Sequence, residues 1–357
     1  MNPSTAKIID DLLSDSGLFS FMKTAANRNE CFDFSRDIIL ITGAAGTIGS
    51  ELTKQLVAGK FKKIILVDFA ESPLYNLIKN LEFENTTDIV FKLLDITDKS
   101  AIESLFSLYN PTLIFHAAAY KHVPLMEENP YKAVKNNILG TKLLADLSIA
   151  YQVKKFVFVS TDKAVKPINV MGMSKRISED YLNHLNTVSG TTFITTRFGN
   201  IMGSNGSVIP LLKTQIESGK NITLTNTKVS RYFISKQKAC HLILKISAKI
   251  SPSGNTFTFN MGDPIKIKDI VERLLFNYNK VHEASNIKVT KLRVGEKLTE
   301  DLVTDYEQLI LTDIQDVYLV ETDNNNSSTS KINYKNLESI TPNDTPEYIK
   351  SILLNFL

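Results

Sequence analysis

Two stretches of this sequence hold residue types that could do chemistry at one site. The first is Gly43-Ala44-Ala45-Gly46-Thr47-Ile48-Gly49, with Asp68 lying 19 residues beyond Gly49. Gly43 lets the chain turn tightly off a preceding strand, Gly46 lets backbone approach a pyrophosphate with no Cβ in the way, and Gly49 lets a helix pack close to that strand. The orphan N–H groups of a helix opening here, around Thr47 and Ile48, can hold phosphate oxygens. Asp68 stands where a carboxylate would meet the adenosine ribose hydroxyls. A strand before, a helix after and an acid at this distance favour dinucleotide binding over a glycine turn that merely joins two elements. The second stretch is Thr161-Asp162-Lys163, with Lys175 twelve residues after Lys163. At an exposed turn, neighbouring Asp162 and Lys163 would be only an ion pair.

These residues need a scaffold, and the pattern around them supplies one. Ile38-Ile39-Leu40-Ile41 is an unbroken apolar run rich in β-branched residues, as expected of a parallel strand buried on both faces. Lys63 to Val67 predicts the second strand and Ile89 to Leu94 the third, which ends at Asp95-Ile96. An acid followed by an aliphatic at that edge suits an adenine pocket, Asp95 accepting from the exocyclic amine and Ile96 covering the ring. The fourth strand, Thr112 to Phe115, runs into His116-Ala117-Ala118-Ala119, whose small residues let a cofactor approach the backbone at the carboxyl edge of the sheet. A long helix from about Pro130 to Tyr151 carries Asn137, a further cofactor contact. The fifth strand, Lys155 to Val159, delivers Ser160-Thr161-Asp162-Lys163 to the same edge, the next helix carries Met171 and Lys175, and Phe193 to Arg197 is the sixth strand. Such alternation implies an α/β fold, a right-handed, doubly wound, Rossmann-like parallel sheet with a smaller carboxyl-terminal substrate domain.

The expected domains are a helical extension over residues 1–36, a dinucleotide-binding domain over 37–198 completed by 234–260, a substrate domain from 199–233 and 261–335, and a terminal helix within 336–357. In the extension, Ile8, Ile9, Leu12 and Leu13 recur at helical spacing. The polar run Thr322 to Ser330 is expected to form a mobile loop. With 41 basic and 38 acidic residues among 357, the formal charge of +3 gives no reason to expect nucleic acid or an anionic membrane. Cys31 and Cys240 lie in no metal-like spacing and the five histidines form no HxxxH pair, so no metal is expected. No apolar run approaches the ~20 residues that span a bilayer, and a cytoplasmic protein is expected.

The spacing GxxGxxG resembles the extended short-chain dehydrogenase/reductase superfamily. In that superfamily an acid ending the second strand repels a 2′-phosphate, and no Arg or Lys follows Asp68 before Lys79, which implies NAD with NADP as the lesser possibility. Three longer runs narrow the resemblance: His116 to Pro130 (His-Ala-Ala-Ala-Tyr-Lys-His-Val-Pro-Leu-Met-Glu-Glu-Asn-Pro), Ser160 to Lys175 (Ser-Thr-Asp-Lys-Ala-Val-Lys-Pro-Ile-Asn-Val-Met-Gly-Met-Ser-Lys) and Arg197 to Pro210 (Arg-Phe-Gly-Asn-Ile-Met-Gly-Ser-Asn-Gly-Ser-Val-Ile-Pro). With Arg231-Tyr232-Phe233 and Gly295-Glu296-Lys297, they resemble bacterial UDP-N-acetylglucosamine 4,6-dehydratases of capsule, O-antigen and related glycan pathways. Superfamily members usually place a tyrosine base four residues before the lysine; here that position is Met171, a replacement that this branch tolerates. Many members of the branch also carry a membrane-spanning amino-terminal half, for which this sequence shows no span.

The resemblance implies oxidation at sugar C4, loss of the C5 proton and the C6 hydroxyl as water, and return of hydride to C6. By the same resemblance Asp162 is the acid for the C6 hydroxyl and Lys163 the base at C5. Thr161 hydrogen-bonds O4, and Lys175 holds the nicotinamide ribose and offers positive charge to the developing alkoxide. The group that removes the O4 proton is left open. Implied substrate contacts are Lys121 toward the sugar, Asn200, Ser207 and Val208 toward the nucleotide, Arg231 and Arg293 at the diphosphate, and Glu296 at the uridine ribose. The expected partner is a UDP-sugar and the expected assembly a homo-oligomer. Alternatives are a C5-inverting dehydratase, a UDP-sugar 4-epimerase, and a catalytically silent dinucleotide-binding sensor or scaffold.

Overall fold

The computed structural model describes residues 1–20, 22, 30–82, 84, 86–249, 256–322 and 334–357. Helix α1 (Pro3–Ser16) precedes strand β1 (Asp33–Thr42), helix α2 (Thr47–Val57) and strand β2 (Lys60–Asp68). Strands β3 (Ile89–Leu93), β4 (Leu113–His116), β5 (Lys155–Val159) and β6 (Thr192–Arg197) follow with helices between them. They form one sheet in the parallel order β3-β2-β1-β4-β5-β6, continued by the strand Thr256–Phe259. Helices cover both faces of a central strand such as β1, so Ile39, Leu40 and Ile41 are fully buried and divide between two apolar layers. β1 starts at Asp33, earlier than expected, because buried Phe34 pairs with Phe61 across a register irregularity before Ile38. Strand order reverses between β1 and β4, which opens a crevice at their carboxyl ends.

Several assignments change in three dimensions. Strands Glu307–Leu311 and Val317–Thr322, expected in the substrate domain, instead extend the main sheet, Val317–Thr322 pairing antiparallel with Thr256–Phe259. An edge strand there would otherwise leave a row of unpaired backbone groups. The helix expected from Pro130 to Tyr151 passes through a π-helical stretch, Ala133–Gly140, before Thr141–Ala150. The expected loop Thr322 to Ser330 lies outside the described residues from position 323 onward. The terminal helix is Pro346–Leu354, and its Ile349 and Leu353 share a buried cluster with Met171, Met173 and Ile177.

A second apolar core joins α1 to the segments after β6. Ile9 and Leu13 pack with Met202, Ile209, Leu212, Ile270 and Leu274, while Ile8 points outward at 51% exposure. Asp10 meets the Arg273 guanidinium and the Asn277 amide, and Gln237 donates to the Asp15 carbonyl. Among the described residues, no helix is long and apolar enough to cross a membrane.

Candidate active site

A cavity of about 740 Å³ runs along the carboxyl edge of the sheet, from the glycine turn to the segment around Arg293. Of the residues expected to meet a cofactor, Gly43, Gly46, Thr47, Ile48, Gly49, Ala117 and Ala119 line it. Gly46 caps α2 with no side-chain hydrogen bond, leaving the first-turn amides of the helix open to a ligand. The turn is also sterically committed to glycine. Gly43 sits at φ +66°, and a Cβ there would lie 2.6 Å from the Ala118 amide nitrogen; one on Gly49 would lie 2.2 Å from the Gly43 carbonyl oxygen. Gly49→Ala must therefore push α2 off the strand, and we expect loss of NADH fluorescence binding by at least tenfold, with a destabilisation of about 1–3 kcal/mol in urea unfolding.

The remaining expected cofactor residues are placed less directly. Asp68 accepts from the Ala45 amide (2.9 Å) and the Ala70 amide (2.9 Å), so it ties the glycine turn to the end of β2 and keeps one further lone pair on each oxygen. Asp95 is exposed, and its Oδ1 receives the Thr97 amide and hydroxyl; Asp98, not Asp95, caps the helix Lys99–Tyr109. Ile96, expected over the adenine ring, is 4% exposed within the apolar core, against which Gly140 packs tightly. Asn137 is wholly buried and does not line the cavity. Its amide accepts from Tyr120 N–H (2.8 Å) and donates to the Tyr120 carbonyl (2.9 Å) and the Ser174 hydroxyl (3.0 Å), which clamps the strand-end loop against the lysine-bearing helix. Ala118 packs against the same core as Ile96.

Beyond β5 the chain enters a single 3₁₀ turn, Asp162–Ala164, in which Thr161 Oγ1 accepts from the Lys163 amide. Asp162 is 0% exposed and the Lys163 side chain 17%, so this is no surface ion pair. Asp162 Oδ1 receives the Thr161 hydroxyl (3.0 Å) and the Lys163 ammonium (2.9 Å), whereas its buried Oδ2 has no partner among the described residues. Lys163 Nζ also donates to Asn200 Oδ1 at 3.1 Å and lies 3.8 Å from Glu300. Sequence patterning missed Glu300. It is buried, bridges Lys163 and Lys297, and follows Gly295-Glu296-Lys297 closely enough that the motif could have drawn attention to it.

Met171 and Lys175 line the cavity one helical turn apart on the helix Val170–Val188. Lys175 is 4% exposed, and its Nζ lies 3.7 Å from the centroid of the Phe158 ring. Burial is the larger influence and lowers its pKa to about 7, against a smaller upward pull from Glu179. Beneath it, buried His116 bridges Thr42 Oγ1 (2.7 Å) and Thr141 Oγ1 (2.8 Å). The Thr141 hydroxyl proton goes to the Asn137 carbonyl at 2.6 Å, so His116 Nε2 must donate to Thr141 and Nδ1 accept from Thr42. Burial first, then the charge of Lys175, holds this neutral imidazole well below its ordinary pKa.

The lysine has a stability consequence. A folded pKa below the unfolded 10.5 means that the unfolded chain binds the extra proton, so stability rises with pH between about 7 and 10.5. Lys175→Met should stabilise the fold by a few kcal/mol at pH 7, and urea unfolding at pH 10 should show a smaller gain.

The residues expected to contact substrate, Lys121, Asn200, Ser207, Val208, Arg231, Arg293 and Glu296, all line the cavity. Arg231 is not free for phosphate: its guanidinium donates to the Ser230, Leu298 and Lys297 carbonyls and pairs with Glu296 at 3.6 Å. It holds the 295–298 segment in place. Glu296 accepts from Thr225 Oγ1 (3.0 Å) and the Arg293 amide (3.0 Å), while the Arg293 side chain is exposed at the rim. Ser207 lines the cavity, and its Oγ is buried with no hydrogen-bond partner among the described residues. Among the described residues no group of three or more His, Cys, Asp or Glu is placed to hold a metal.

The doubly wound sheet, the glycine turn at its switch point and the lysine-bearing helix beside β5 define a protein of the extended short-chain dehydrogenase/reductase type. Residues 39–322 match the family described as polysaccharide biosynthesis protein, and the chain belongs to that family. It is 42% identical over 278 residues to the capsular polysaccharide biosynthesis protein CapD of Staphylococcus aureus, covering 77% of this chain but 46% of that protein, so the chain spans about half the length of this relative. It is 30% identical over 292 residues to a UDP-N-acetylglucosamine 4,6-dehydratase (inverting) of Campylobacter jejuni, covering 80% of this chain and 83% of that protein. Among solved structures, Pen from Bacillus thuringiensis superposes with a TM-score of 0.74 at 29% identity, covering 91% of this chain and all of that one.

Proposed function

We propose that the chain is an NAD-dependent dehydratase that converts a UDP-N-acetylhexosamine such as UDP-GlcNAc into its 4-keto-6-deoxy derivative for surface polysaccharide synthesis. One observation carries the proposal: Lys163 lines the cavity in contact with the wholly buried Asp162 behind it, and among the described residues Asp162 Oδ2 has no hydrogen-bond partner. A bound nicotinamide supplies the hydride acceptor at sugar C4 and the donor at C6. The glycine turn and the α2 amides hold its pyrophosphate, and Asp68 faces its ribose and disfavours a 2′-phosphate. Once C4 is a ketone, the C5 proton is acidic. Proton transfer across the 2.9 Å contact turns an ammonium and a carboxylate into an amine and a carboxylic acid, which creates the C5 base on Lys163 and the C6 acid on Asp162 in one step. Asn200 keeps the amine oriented, and Thr161, whose hydroxyl also donates to Asp162, is the residue proposed to meet O4. Arg293 is the better candidate for the substrate diphosphate, with Ser207 and Glu296 for the uridine nucleotide.

Incubation with UDP-GlcNAc in D₂O tests this directly. The expected product has a C6 methyl group and deuterium at C5, and its C5 configuration by NMR separates retention from the inversion named for the Campylobacter relative. NADH binding without turnover of any UDP-hexose would leave a dinucleotide-binding sensor or scaffold. Titration with NADH and NADPH should favour NADH at least tenfold through the charge of Asp68.

A further inference from the structure

With methionine at 171, no phenol stands a turn before Lys175 to take the O4 proton as C4 is oxidised. We propose that the ε-amino group of Lys175 takes that proton itself, an assignment that rests on the dehydratase proposed above. Lys175 is nine-tenths buried yet lines the cavity beside Met171, and among the described residues its Nζ has no hydrogen-bond or ion-pair partner. It rests on the face of Phe158, a weak partner compared with a carboxylate.

The charged and titratable groups around it leave it solitary. On its own helix, Glu179 is already bound by the Ser160 hydroxyl and by Arg197 at 2.7 Å. On β4, His116 is neutral and saturated by two threonines. On the turn that packs against the helix at Gly172, Lys163 and Asp162 pair with each other. Desolvation therefore dominates, and the neutral amine is well populated near pH 7.

The step balances. The O4–H bond breaks and an N–H bond forms on Lys175; the O–H electron pair becomes the second bond of the C4 carbonyl, and the C4–H pair leaves as hydride for the nicotinamide acceptor. Later Asp162 gives a proton to the departing C6 hydroxyl. Lys163, having taken the C5 proton, returns one to C5 as hydride reaches C6, so each turnover leaves one proton gained at Lys175 and one lost from the Asp162–Lys163 pair, and a single return transfer resets both.

The test measures single-turnover hydride transfer from UDP-GlcNAc against pH, by the absorbance of reduced nicotinamide. Wild type should rise to a plateau with a midpoint near pH 7. Lys175→Arg keeps a cation but not a base, and should lower the plateau about a thousandfold and abolish that midpoint. Because arginine keeps a cation toward the nicotinamide ribose, NADH affinity in the same variant should fall far less than the plateau of hydride transfer. It should also still exchange the C5 proton of the 4-keto-6-deoxy product with D₂O, a step that needs Lys163 and not Lys175. Met171→Tyr in the Lys175→Arg background supplies a phenol one turn away and should recover at least tenfold. Hydride transfer in Lys175→Arg within tenfold of wild type with the same midpoint overturns the assignment alone. Loss of NADH binding in that variant overturns it in favour of a cofactor anchor. A wild-type chain that oxidises no UDP-hexose overturns the dehydratase proposal and this assignment together.

Discussion

Lys163→Ala should stop dehydration while leaving oxidation at C4 in place. Removing a positioned base slows its step by about 10²–10⁴-fold, and here the acid Asp162 loses the neighbour 2.9 Å away with which it exchanges a proton. Reduced nicotinamide should accumulate on mixing with UDP-GlcNAc, and C5 exchange with D₂O, followed by NMR, should fall by at least a thousandfold. Exchange at the wild-type rate would show that another group takes the C5 proton. Asn200→Ala should show a milder version of the same defect, because it removes only the 3.1 Å contact that orients the amine.

Arg197→Met should cost about 3–5 kcal/mol of stability, the penalty for leaving buried charge without its partner. The Arg197 guanidinium is 1% exposed and bonds Glu179 at 2.7 Å and Glu307 at 2.9 Å, joining β6, the lysine-bearing helix and the antiparallel edge strand in one network. Burial alone would lower its pKa, but the two carboxylates outweigh that and raise it. For Glu307 burial acts upward and Arg197 outweighs it, so the carboxyl pKa falls below the ordinary 4.5. A depressed carboxyl contributes stability above its unfolded pKa that is lost as pH falls through the folded value, so the cost of Arg197→Met should shrink below about pH 4.5. Urea unfolding at pH 7 and pH 4 measures both. Adding Glu179→Gln and Glu307→Gln to Arg197→Met should recover part of the loss; a triple variant no more stable than the single would place the cost in lost packing instead.

Much of the glycine-turn unit was legible because its information is local. A strand, three glycines at fixed spacing and an acid at the next strand end lie within residues 37–68, and steric exclusion at Gly43 and Gly49 follows from that spacing. Local pattern said less about Asp95, Ile96 and Asn137. Each sits at a plausible strand or helix position, but whether it faces a ligand or the interior depends on elements remote in sequence, and Asn137 is used up by Tyr120 and Ser174. The strands Glu307–Leu311 and Val317–Thr322 were misassigned for a related reason. Their pairing answers the open edge of Thr256–Phe259, which no short window records.

By itself the sequence determined the succession of strands and helices up to β6, the glycine turn after β1 and the placement of Thr161-Asp162-Lys163 at the end of β5, because hydrophobic period and glycine spacing act between near neighbours. Tertiary structure decided which groups remain free to react. It spent Arg231 on three carbonyls, brought Glu300 and Asn200 to Lys163, left the buried Asp162 Oδ2 with no hydrogen-bond partner among the described residues, and enclosed Lys175 against Phe158. Hydrogen bonding, ion pairing and desolvation act over a few ångströms of space regardless of separation along the chain, so the reactivity of a side chain is set only when distant segments meet.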